Sequence, residues 1–434
     1  MKSPLDWSLI DFPAQALIAV SVLGLLVALL CRRGRQWWLR AVPLCVAIAV
    51  AVAAAGYYTV NYRWHPYPDV IPWTLFAWGG VAALVLCLSA ARMRRSGWPV
   101  RALMVLGVLW SVVVIAAQAN IHYAAFTTAR KLVNPLLHPV GDLSSVASSQ
   151  ASAVRAAAGS TLEQLWQPPA NMPADGQVVK ASIPASSRFS PREALIYLPP
   201  AYLATPRPEL PVLVLLPGDP GAPRDWIDKV HVDDALGQFA ARHKGLAPVV
   251  VMADQQGVAE NNPSCVDSAW GTPQTYLAED LPRWVSANLQ VSRDHRQWGI
   301  GGLSSGGTCS LLVGLRAPEA YANVVDMSGQ REPILTSHAE IVAKLFNGDE
   351  AAYNNVTPKD IMAKRQYPDT NALITAGSDD GVYNPQQREI YAACRQAGMN
   401  AQWQEFPGGH TFAVFRASFE AAIPWLAART GLTQ

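Results

Sequence analysis

The stretch WGIGGLSSGGTCSLLVGLR, residues 298–316, decides the fold of this chain. Its first part, Trp298–Leu303, is a short apolar run that predicts a buried strand, and Gly306–Arg316 has the length and apolar content of a helix. Between them, GLSSG at residues 302–306 fits the pattern G-x-S-x-G. Small residues allow a strained turn that projects a serine hydroxyl above a sheet. The stretch therefore predicts a nucleophilic Ser304 on a strand–turn–helix unit, with an ordinary glycine-rich turn as the alternative.

Strands and helices alternate on both sides of this unit, from about Gly176 onward. This alternation predicts a doubly wound, mostly parallel sheet that opens with an antiparallel pair of strands. Ligands of such sheets bind at the carboxyl ends of the strands, so functional side chains should follow strands. The predicted strands are Gln177–Ile183, Ala194–Leu198, Val212–Leu216, Val249–Ala253, Trp298–Leu303, Asn323–Met327, Ala372–Ala376 and Gln402–Phe406, and the predicted helices include Asp233–Arg242, Tyr276–Asn288, Gly306–Arg316, Ser337–Phe346 and Gln386–Ala397.

A serine hydroxyl is a weak nucleophile at neutral pH and needs a base, which in turn needs an acid to orient it. Two histidines follow Ser304 in the chain, His338 and His410. His338 falls inside a predicted helix and is interpreted as a surface residue. His410 follows a short strand and the turn Pro407–Gly409, which is where a base carried by a loop belongs. The sequence therefore predicts His410 as the general base.

The acid should follow the strand Ala372–Ala376, since the chain order of this chemistry is serine, acid, histidine. Gly377-Ser378-Asp379-Asp380 follows that strand. Either aspartate could orient the imidazole of His410. Asp380, three residues after Gly377, is preferred and Asp379 is the alternative. The 30 residues from 380 to 410 leave room for one helix and one strand.

An oxyanion hole needs two backbone N–H donors, one from the residue after the nucleophile and one from the loop after the third strand. The first donor is Ser305. The second should come from PGDPG, residues 217–221, in which the two prolines have no N–H. Gly218 and Asp219 remain, and Asp219 is the predicted donor. Its carboxylate must turn away from the negative charge that develops on the substrate.

The first 125 residues contain four apolar stretches, each near the ~20 residues that a helix needs to cross a bilayer. Trp and Tyr residues stand at their ends, as in the aromatic belts of membrane proteins. The sequence predicts a four-helix transmembrane domain over residues 1–125, a Ser/Ala/Pro-rich linker over 126–175 and a catalytic domain over 176–434. The four stretches are Phe12–Leu30, Ala41–Tyr58, Ile71–Ala91 and Ala102–Gln118.

Arginine predicts the orientation of this domain in the membrane. Because positive loops stay in the cytoplasm, the first and third loops should be cytoplasmic and the C-terminal domain extracytoplasmic. The second loop, Asn61–Asp69, is interpreted as an interfacial anchor or as part of a lipid entry site. The first loop carries Arg32, Arg33, Arg35 and Arg40, the third carries Arg92, Arg94, Arg95 and Arg101, and the second carries only Arg63.

The cysteines and the net charge narrow the classes of function. An extracytoplasmic domain can form disulfides, and Cys265 and Cys309 both fall near the predicted site, so they form either a bridge or two buried thiols. Asp267 is interpreted as a structural loop residue or as a contact to a polar substrate group. No Cys/His ligand spacing predicts a metal, and no cofactor motif is present. A net charge of +2 without a basic patch excludes a nucleic-acid partner, and apolar stretches without internal charges argue against a transporter.

The ordered motifs resemble those of the esterase D and antigen 85 (mycolyltransferase) branch of the α/β-hydrolases. This resemblance covers roughly the last 260 residues. It implies the α/β-hydrolase fold, a triad of Ser304, Asp380 and His410, and an oxyanion donor at Asp219. Pro217-Gly218 replaces the family's common His-Gly, and the acid is aspartate where mycolyltransferases use glutamate, which favours an esterase. The motifs are PVLVLLPGDPG (211–221), IGGLSSGG (300–307), AGSDD (376–380) and GGHTF (408–412).

Together these features predict a membrane-anchored, extracytoplasmic serine esterase or acyltransferase that works through an acyl-enzyme. Its expected substrate is a lipid or small ester, either a cell-envelope lipid or an acyl or aminoacyl ester. The alternative is a catalytically idle hydrolase-like domain that serves as a membrane-tethered binding or assembly protein.

Overall fold

The computed structural model describes residues 3–32, 34–64, 69–93, 96–137, 140–146, 154–155, 159–258 and 262–434. Within these ranges the chain forms two compact units, with the boundary between Asn134 and Pro135. Several positions used in the sequence predictions lie outside the described residues: Arg33, Arg94 and Arg95, residues 65–68 of the second loop, and residues 138–139, 147–153 and 156–158 of the predicted linker.

The N-terminal unit contains four helices that are long and apolar enough to cross a membrane, among the residues that the structure describes. Their mean hydropathy lies between 1.9 and 2.3. The second and fourth helices are longer than predicted because flanking Trp, Tyr and Asn residues continue the helix beyond the apolar core. The helices are α1 (Phe12–Leu30), α2 (Val42–Tyr58, continuous over Trp37–Trp64 with a π-helical turn at each end), α3 (Trp73–Met93), α4 (Trp98–Tyr123) and a shorter α5 (Ala129–Leu137).

The C-terminal unit is built on one sheet, in which nine strands are described. Six strands in the order β5-β4-β6-β7-β8-β9 run parallel, and β2 and β3 form the antiparallel pair that joins them. Most sheet residues are fully buried because helices cover both faces. The strands are β1 (Gly141–Asp142), β2 (Gln177–Ala181), β3 (Ala194–Leu198), β4 (Val212–Leu216), β5 (Val249–Met252), β6 (Trp298–Leu303), β7 (Asn323–Met327), β8 (Asn371–Gly377) and β9 (Asn400–Phe406).

The helices of this unit follow the strands in the predicted alternation. The two that position the site most directly are α11, which begins at the residue after Ser304, and α15, which follows the loop of Asp380. The helices are α6 (Leu162–Leu165), α7 (Asp225–Asp228), α8 (Val232–Arg242), α9 (Pro273–Thr275), α10 (Leu281–Asn288), α11 (Ser305–Arg316), α12 (His338–Leu345), α13 (Glu350–Asn354), α14 (Pro358–Lys364), α15 (Tyr383–Gln396) and α16 (Phe412–Arg429).

Part of the predicted linker belongs to the catalytic unit. β1 adds to the edge of the sheet by pairing with β2. Trp166 is completely buried, and its indole Nε1 donates to the carbonyl of Lys244 at 3.0 Å. An indole of this size contributes one of the largest apolar surfaces to the core. The serine and alanine content of residues 126–175 indicated a flexible tether. It gave no sign of the β1–β2 pairing or of the buried Trp166.

The parallel strands place their carboxyl ends at one edge of the sheet. β4 ends before Pro217, β6 before Ser304, β8 before the aspartate pair and β9 before the loop of His410. Leu216 pairs with Gly302, and Gly377 pairs with Phe406, so these strand ends lie level with one another. The sheet register therefore brings the predicted site residues to one edge, as the doubly wound topology requires.

Candidate active site

Ser304 occupies a sharp turn between β6 and α11. Its φ of 53° and ψ of −124° lie outside the ordinary allowed regions for an L-residue, a strain of about 1–3 kcal/mol that recurs at functional sites. The turn is possible because glycines stand at its crowded points. A Cβ on Gly302 would collide with the backbone of Gly306, and a Cβ on Gly306 would collide with the carbonyl oxygens of Leu216 and Pro217. The GxSxG pattern is thus a steric requirement of this turn.

Gly306→Ala is expected to destabilise the catalytic unit by at least about 2 kcal/mol, because the new methyl group meets backbone atoms that cannot rotate away. Gly237→Ala is the matched control, since Gly237 lies in α8 with nothing within 4 Å of its missing Cβ. That change should stabilise the unit by about 0.5–1 kcal/mol. The measurement is the thermal unfolding midpoint of the full-length variants in detergent. Equal midpoints for the two variants would contradict this steric account.

His410 lies within hydrogen-bonding distance of the predicted nucleophile. Its Nε2 is 3.0 Å from Oγ of Ser304. The ring packs against Tyr383 at a centroid distance of 4.2 Å and meets the edge of Phe415 at 5.1 Å and 89°. These two aromatic contacts restrict rotation of the imidazole and leave its Nε2 directed at the serine. His338, by contrast, lies at the start of α12 between Glu332 and Glu350, in another part of the unit.

Asp380 is the aspartate that meets His410. Its Oδ2 is 3.0 Å from Nδ1 of the imidazole, and its Oδ1 accepts from the backbone N–H groups of Val382 and Tyr383 at 3.2 and 2.9 Å. Asp379 is exposed, and its carboxylate accepts a hydrogen bond from Ser378. The structure thus brings Asp380 to the histidine and does not bring Asp379 there.

The environment of Asp380 keeps it ionised. Burial raises the pKa of its carboxyl group, but the hydrogen bond and charge of His410 and the two backbone donors lower the pKa further, so that the net pKa lies below its ordinary value. A carboxylate that stays charged accepts from Nδ1–H and leaves the lone pair on Nε2. The tautomer required for proton abstraction from Ser304 is therefore the favoured one.

One predicted oxyanion donor belongs to the residue after Ser304, and the other belongs to a loop that approaches Ser304 through Gly218. Ser305 is the first residue of α11, so its N–H has no acceptor within the helix. A Cβ built on Gly218 would lie 3.4 Å from Cβ of Ser304. The carbonyl of Gly218 accepts from Nε2 of Gln256 at 2.7 Å. In a trans peptide the N–H of the next residue, Asp219, points the opposite way, so Gln256 fixes its direction.

The carboxylate of Asp219 is exposed and accepts from Nδ2 of Asn262 at 2.7 Å. This hydrogen bond gives the side chain a partner on the loop after β5. The sequence argument requires the carboxylate to turn away from the developing charge, and Asn262 supplies a physical reason for a fixed orientation.

An ion pair between Arg192 and a buried carboxylate, which sequence reasoning missed, supports the loop after β4. Asp254 is completely buried, and both of its oxygens accept from the guanidinium of Arg192, at 2.9 and 2.6 Å. Burial raises the pKa of Asp254, and the hydrogen bonds and charge of Arg192 lower it to a net value below the ordinary one. Arg192 also donates to the carbonyl of Gly221 at 2.8 Å. The pair therefore ties β5's loop to the predicted oxyanion loop.

A second missed group, Asp326, lies beneath the first turn of α11. It is fully buried on β7 and accepts from Nε2 of Gln387 at 3.2 Å and from the N–H of Gly329 at 3.0 Å. Burial raises the pKa of its carboxyl group to about 7, against the effect of these two hydrogen bonds. A Cβ on Gly307 would collide with its Oδ1. The missing side chain at Gly307 thus permits the close approach of α11 to Asp326.

Cys265 and Cys309 form a disulfide with a Cα–Cα distance of 5.4 Å. Of the two hypotheses for these cysteines, the structure therefore contains the bridge. It joins the loop after β5 to α11, five residues after Ser304. Asp267, on the same loop, accepts from the backbone of Gln274 at 2.8 Å and from the hydroxyl of Thr275 at 2.6 Å. These contacts correspond to the structural interpretation of Asp267.

Removing the bridge with Cys265→Ser and Cys309→Ser together is expected to lower the free energy of unfolding by about 2–4 kcal/mol, because the bridge closes a long loop in the unfolded chain. The measurement is the thermal unfolding midpoint of the full-length variant. Cys394→Ser is the control, since Cys394 is a buried free thiol. The bridge would be contradicted if the double variant had the same midpoint as the wild type and if Cys265 and Cys309 of the wild type reacted with an alkylating reagent without prior reduction.

Comparison with known proteins places this arrangement in a family. The model of the Esterase family, described as "Putative esterase", matches residues 187–426. The chain belongs to this family. A protein of Corynebacterium glutamicum that is described as uncharacterized is 33% identical over 434 residues and covers 98% of both chains. The similarity to that protein therefore extends over the four apolar helices as well as the catalytic unit.

Solved structures also match the Esterase-family unit. A ferulic acid esterase has a TM-score of 0.51 at 20% identity and covers 59% of this chain and 99% of its own. An S-formylglutathione hydrolase from Agrobacterium tumefaciens has a TM-score of 0.51 at 17% identity, covering 60% and 98%. Likeness at this identity concerns the fold. The predicted α/β-hydrolase fold and the predicted family are both confirmed.

Proposed function

We propose that this Esterase-family protein is a membrane-anchored, extracytoplasmic serine esterase or acyltransferase. The observation that carries the proposal is the continuous hydrogen-bonded chain from Asp380 through His410 to Ser304, with both links 3.0 Å long. A buried, ionised acid, a histidine in the required tautomer and a serine on a strained turn are the parts that nucleophilic acyl transfer needs.

In the first half of the reaction, Oγ of Ser304 attacks the ester carbonyl while Nε2 of His410 takes the hydroxyl proton. The charge that develops on the carbonyl oxygen is stabilised by the N–H groups of Ser305 and Asp219 and by the positive end of α11. His410 then gives its proton to the departing alkoxide, and the acyl group stays on Ser304 as an ester. In the second half, water or an alcohol attacks this ester by the same steps.

Membrane anchoring is proposed from the four apolar helices and the aromatic residues at their ends. The extracytoplasmic orientation is proposed from the arginines of the first and third loops, by the positive-inside rule. The Cys265–Cys309 bridge supports it, since disulfides persist outside the reducing cytoplasm. An enzyme held in this way is near envelope lipids, so we propose as substrate an ester of an envelope lipid, or an acyl or aminoacyl ester.

A fluorophosphonate probe tests the proposal, because it reacts with serine nucleophiles that a histidine activates. Full-length protein in detergent should take up one equivalent of probe and lose its hydrolysis of aryl esters in parallel. Heat-denatured protein is the control and should remain unlabelled. Native protein that neither reacts with the probe nor hydrolyses any ester would contradict the proposal and favour a catalytically idle binding domain.

A further inference from the structure

A small pocket with several polar side chains in its lining lies beside the first turn of α11, between the loops after β5 and β7. It contains about 300 Å³ of empty space, including the part open to solvent. The centre of a water-sized group can occupy only about 20 Å³ of this space, so the enclosed part holds about one or two heavy atoms, such as a hydroxyl or an amine. Six residues that line it carry uncharged polar side chains: Gln255, Asn262, Ser264, Ser305, Thr308 and Gln330.

Two of these side chains have unused hydrogen-bonding capacity. Gln255 is only 2% exposed, and its Nε2 donates to the carbonyl of Pro217 at 2.5 Å. Its Oε1 is buried and has no hydrogen-bond partner within the described protein, and the same holds for Oγ of Ser305. Buried polar atoms are normally paired, since an unpaired one loses the free energy of its bonds to water.

The remaining polar walls of the pocket are already paired and held in place. Oγ1 of Thr308 is 2.7 Å from Oε1 of Gln330 and accepts from the backbone N–H of that residue at 2.8 Å. Ser264 donates to the carbonyl of Ile334 at 3.1 Å. The unused capacity of the pocket is therefore an acceptor at Gln255 and a hydroxyl at Ser305. A group that carries a hydrogen-bond donor is the complement of these two atoms.

The position of His410 indicates which part of an ester enters this pocket. The histidine must reach the leaving oxygen in order to protonate it, so the alcohol part of the ester lies on the side of His410. Ser305, Gln255 and the bridged Cys265 line the pocket, whereas neither His410 nor its aromatic neighbours Tyr383 and Phe415 line it. The acyl part of the ester is left for the pocket.

We propose that this pocket receives a hydrogen-bond donor, a hydroxyl or an amine, that a short acyl part of the substrate carries near its carbonyl. This inference rests on the proposed function and narrows its substrate class. Long unsubstituted acyl chains do not fit, both because of the volume and because they would leave Gln255 Oε1 and Ser305 Oγ unpaired. A lipid component of the substrate then belongs to the alcohol part.

Three aryl esters of one phenol test the inference: 2-hydroxypropanoyl, 2-aminopropanoyl and 2-methylpropanoyl esters. They have the same shape and differ in one group, which is a hydroxyl, an amine or a methyl. For each ester, kcat/KM of the full-length protein is divided by the rate constant of its hydroxide-catalysed hydrolysis, which corrects for intrinsic reactivity. We expect this ratio to be at least about tenfold higher for one of the two donor-bearing esters than for the 2-methylpropanoyl ester. The hydroxyl and amine arms distinguish the two donors. An octanoyl ester should be the poorest substrate.

Gln255→Met removes the unpaired acceptor and should reduce this preference toward unity. Ser305→Ala removes the unpaired hydroxyl but keeps the backbone N–H, and it should also reduce the preference. Gln402→Met, on the exposed face of β9, is the matched control and should keep the preference of the wild type. A preference for the methyl or octanoyl ester, or a ratio that neither pocket variant changes, would overturn the inference while the enzyme remains a hydrolase. Absence of Ser304-dependent hydrolysis of every ester would instead overturn the proposed function.

Discussion

Ser304→Ala is expected to lower kcat for ester hydrolysis by about 10⁶-fold, the size of effect seen when the nucleophile of a serine hydrolase is removed. The hydroxyl is the group that forms the covalent bond to the acyl carbon, and its Oγ lies 3.0 Å from Nε2 of His410. The measurement is the rate of aryl ester hydrolysis by full-length protein at saturating substrate.

Ser378→Ala is the control for this change. Ser378 is exposed near the same edge of the sheet, and its hydroxyl donates to Asp379 at 3.3 Å. Its activity should stay within about twofold of the wild type, as for most surface substitutions. Retention of more than about 1% of the activity in Ser304→Ala, with normal thermal stability, would contradict the assignment of the nucleophile.

Asp380→Asn is expected to lower kcat by about 10⁴-fold while the fold is preserved. An asparagine can place its amide N–H₂ toward Nδ1 of His410, and the proton of the imidazole then moves to Nε2. A protonated Nε2 cannot accept the proton of Ser304. The measurement is kcat of Asp380→Asn as a function of pH. At alkaline pH this variant should keep a small rate that increases with hydroxide concentration.

Asp379→Asn is the matched control, one residue away and exposed. Its backbone N–H donates to the carbonyl of Gly408 at 2.9 Å, a contact that the substitution leaves intact. We expect less than about a twofold change in kcat. A large loss in Asp379→Asn together with a small loss in Asp380→Asn would reverse the roles of the two aspartates.

Much of the catalytic unit could be predicted from the sequence because its central strands, β3 to β8, are almost entirely buried. Val212–Leu216 and Trp298–Leu303 are continuous apolar runs bounded by turn residues, and both are strands with the predicted limits. Chain order then limits which histidine and aspartate can follow the serine. The choice between Asp379 and Asp380 stayed open. Which of the two side chains faces His410 depends on the backbone conformation of the turn after β8, and the sequence does not specify that conformation.

The supports of the site could not be predicted, because they are contacts between residues far apart in the chain. Gln255 and Gln256 each bond a carbonyl of the loop after β4, 38 residues earlier. Arg192 and Asp254 are 62 residues apart. Isolated glutamines and charges in loops have no periodicity that points to a partner. The one local signal was the run Asp254-Gln255-Gln256, because three polar residues follow a buried strand directly and functional residues of such sheets lie at the carboxyl ends of strands.

The central claim is that an acyl group is transferred to Ser304, and peptide mapping of an acid-quenched reaction tests it most directly. Full-length protein is mixed with an aryl ester, quenched within the first turnover, digested and analysed by mass spectrometry. We predict that the peptide containing residues 302–307 gains the mass of the acyl group, that the modification lies on Ser304, and that it is absent from Ser304→Ala. An acyl group on another residue, or hydrolysis that proceeds with no acylated peptide in a wild-type reaction and persists in Ser304→Ala, would contradict the account.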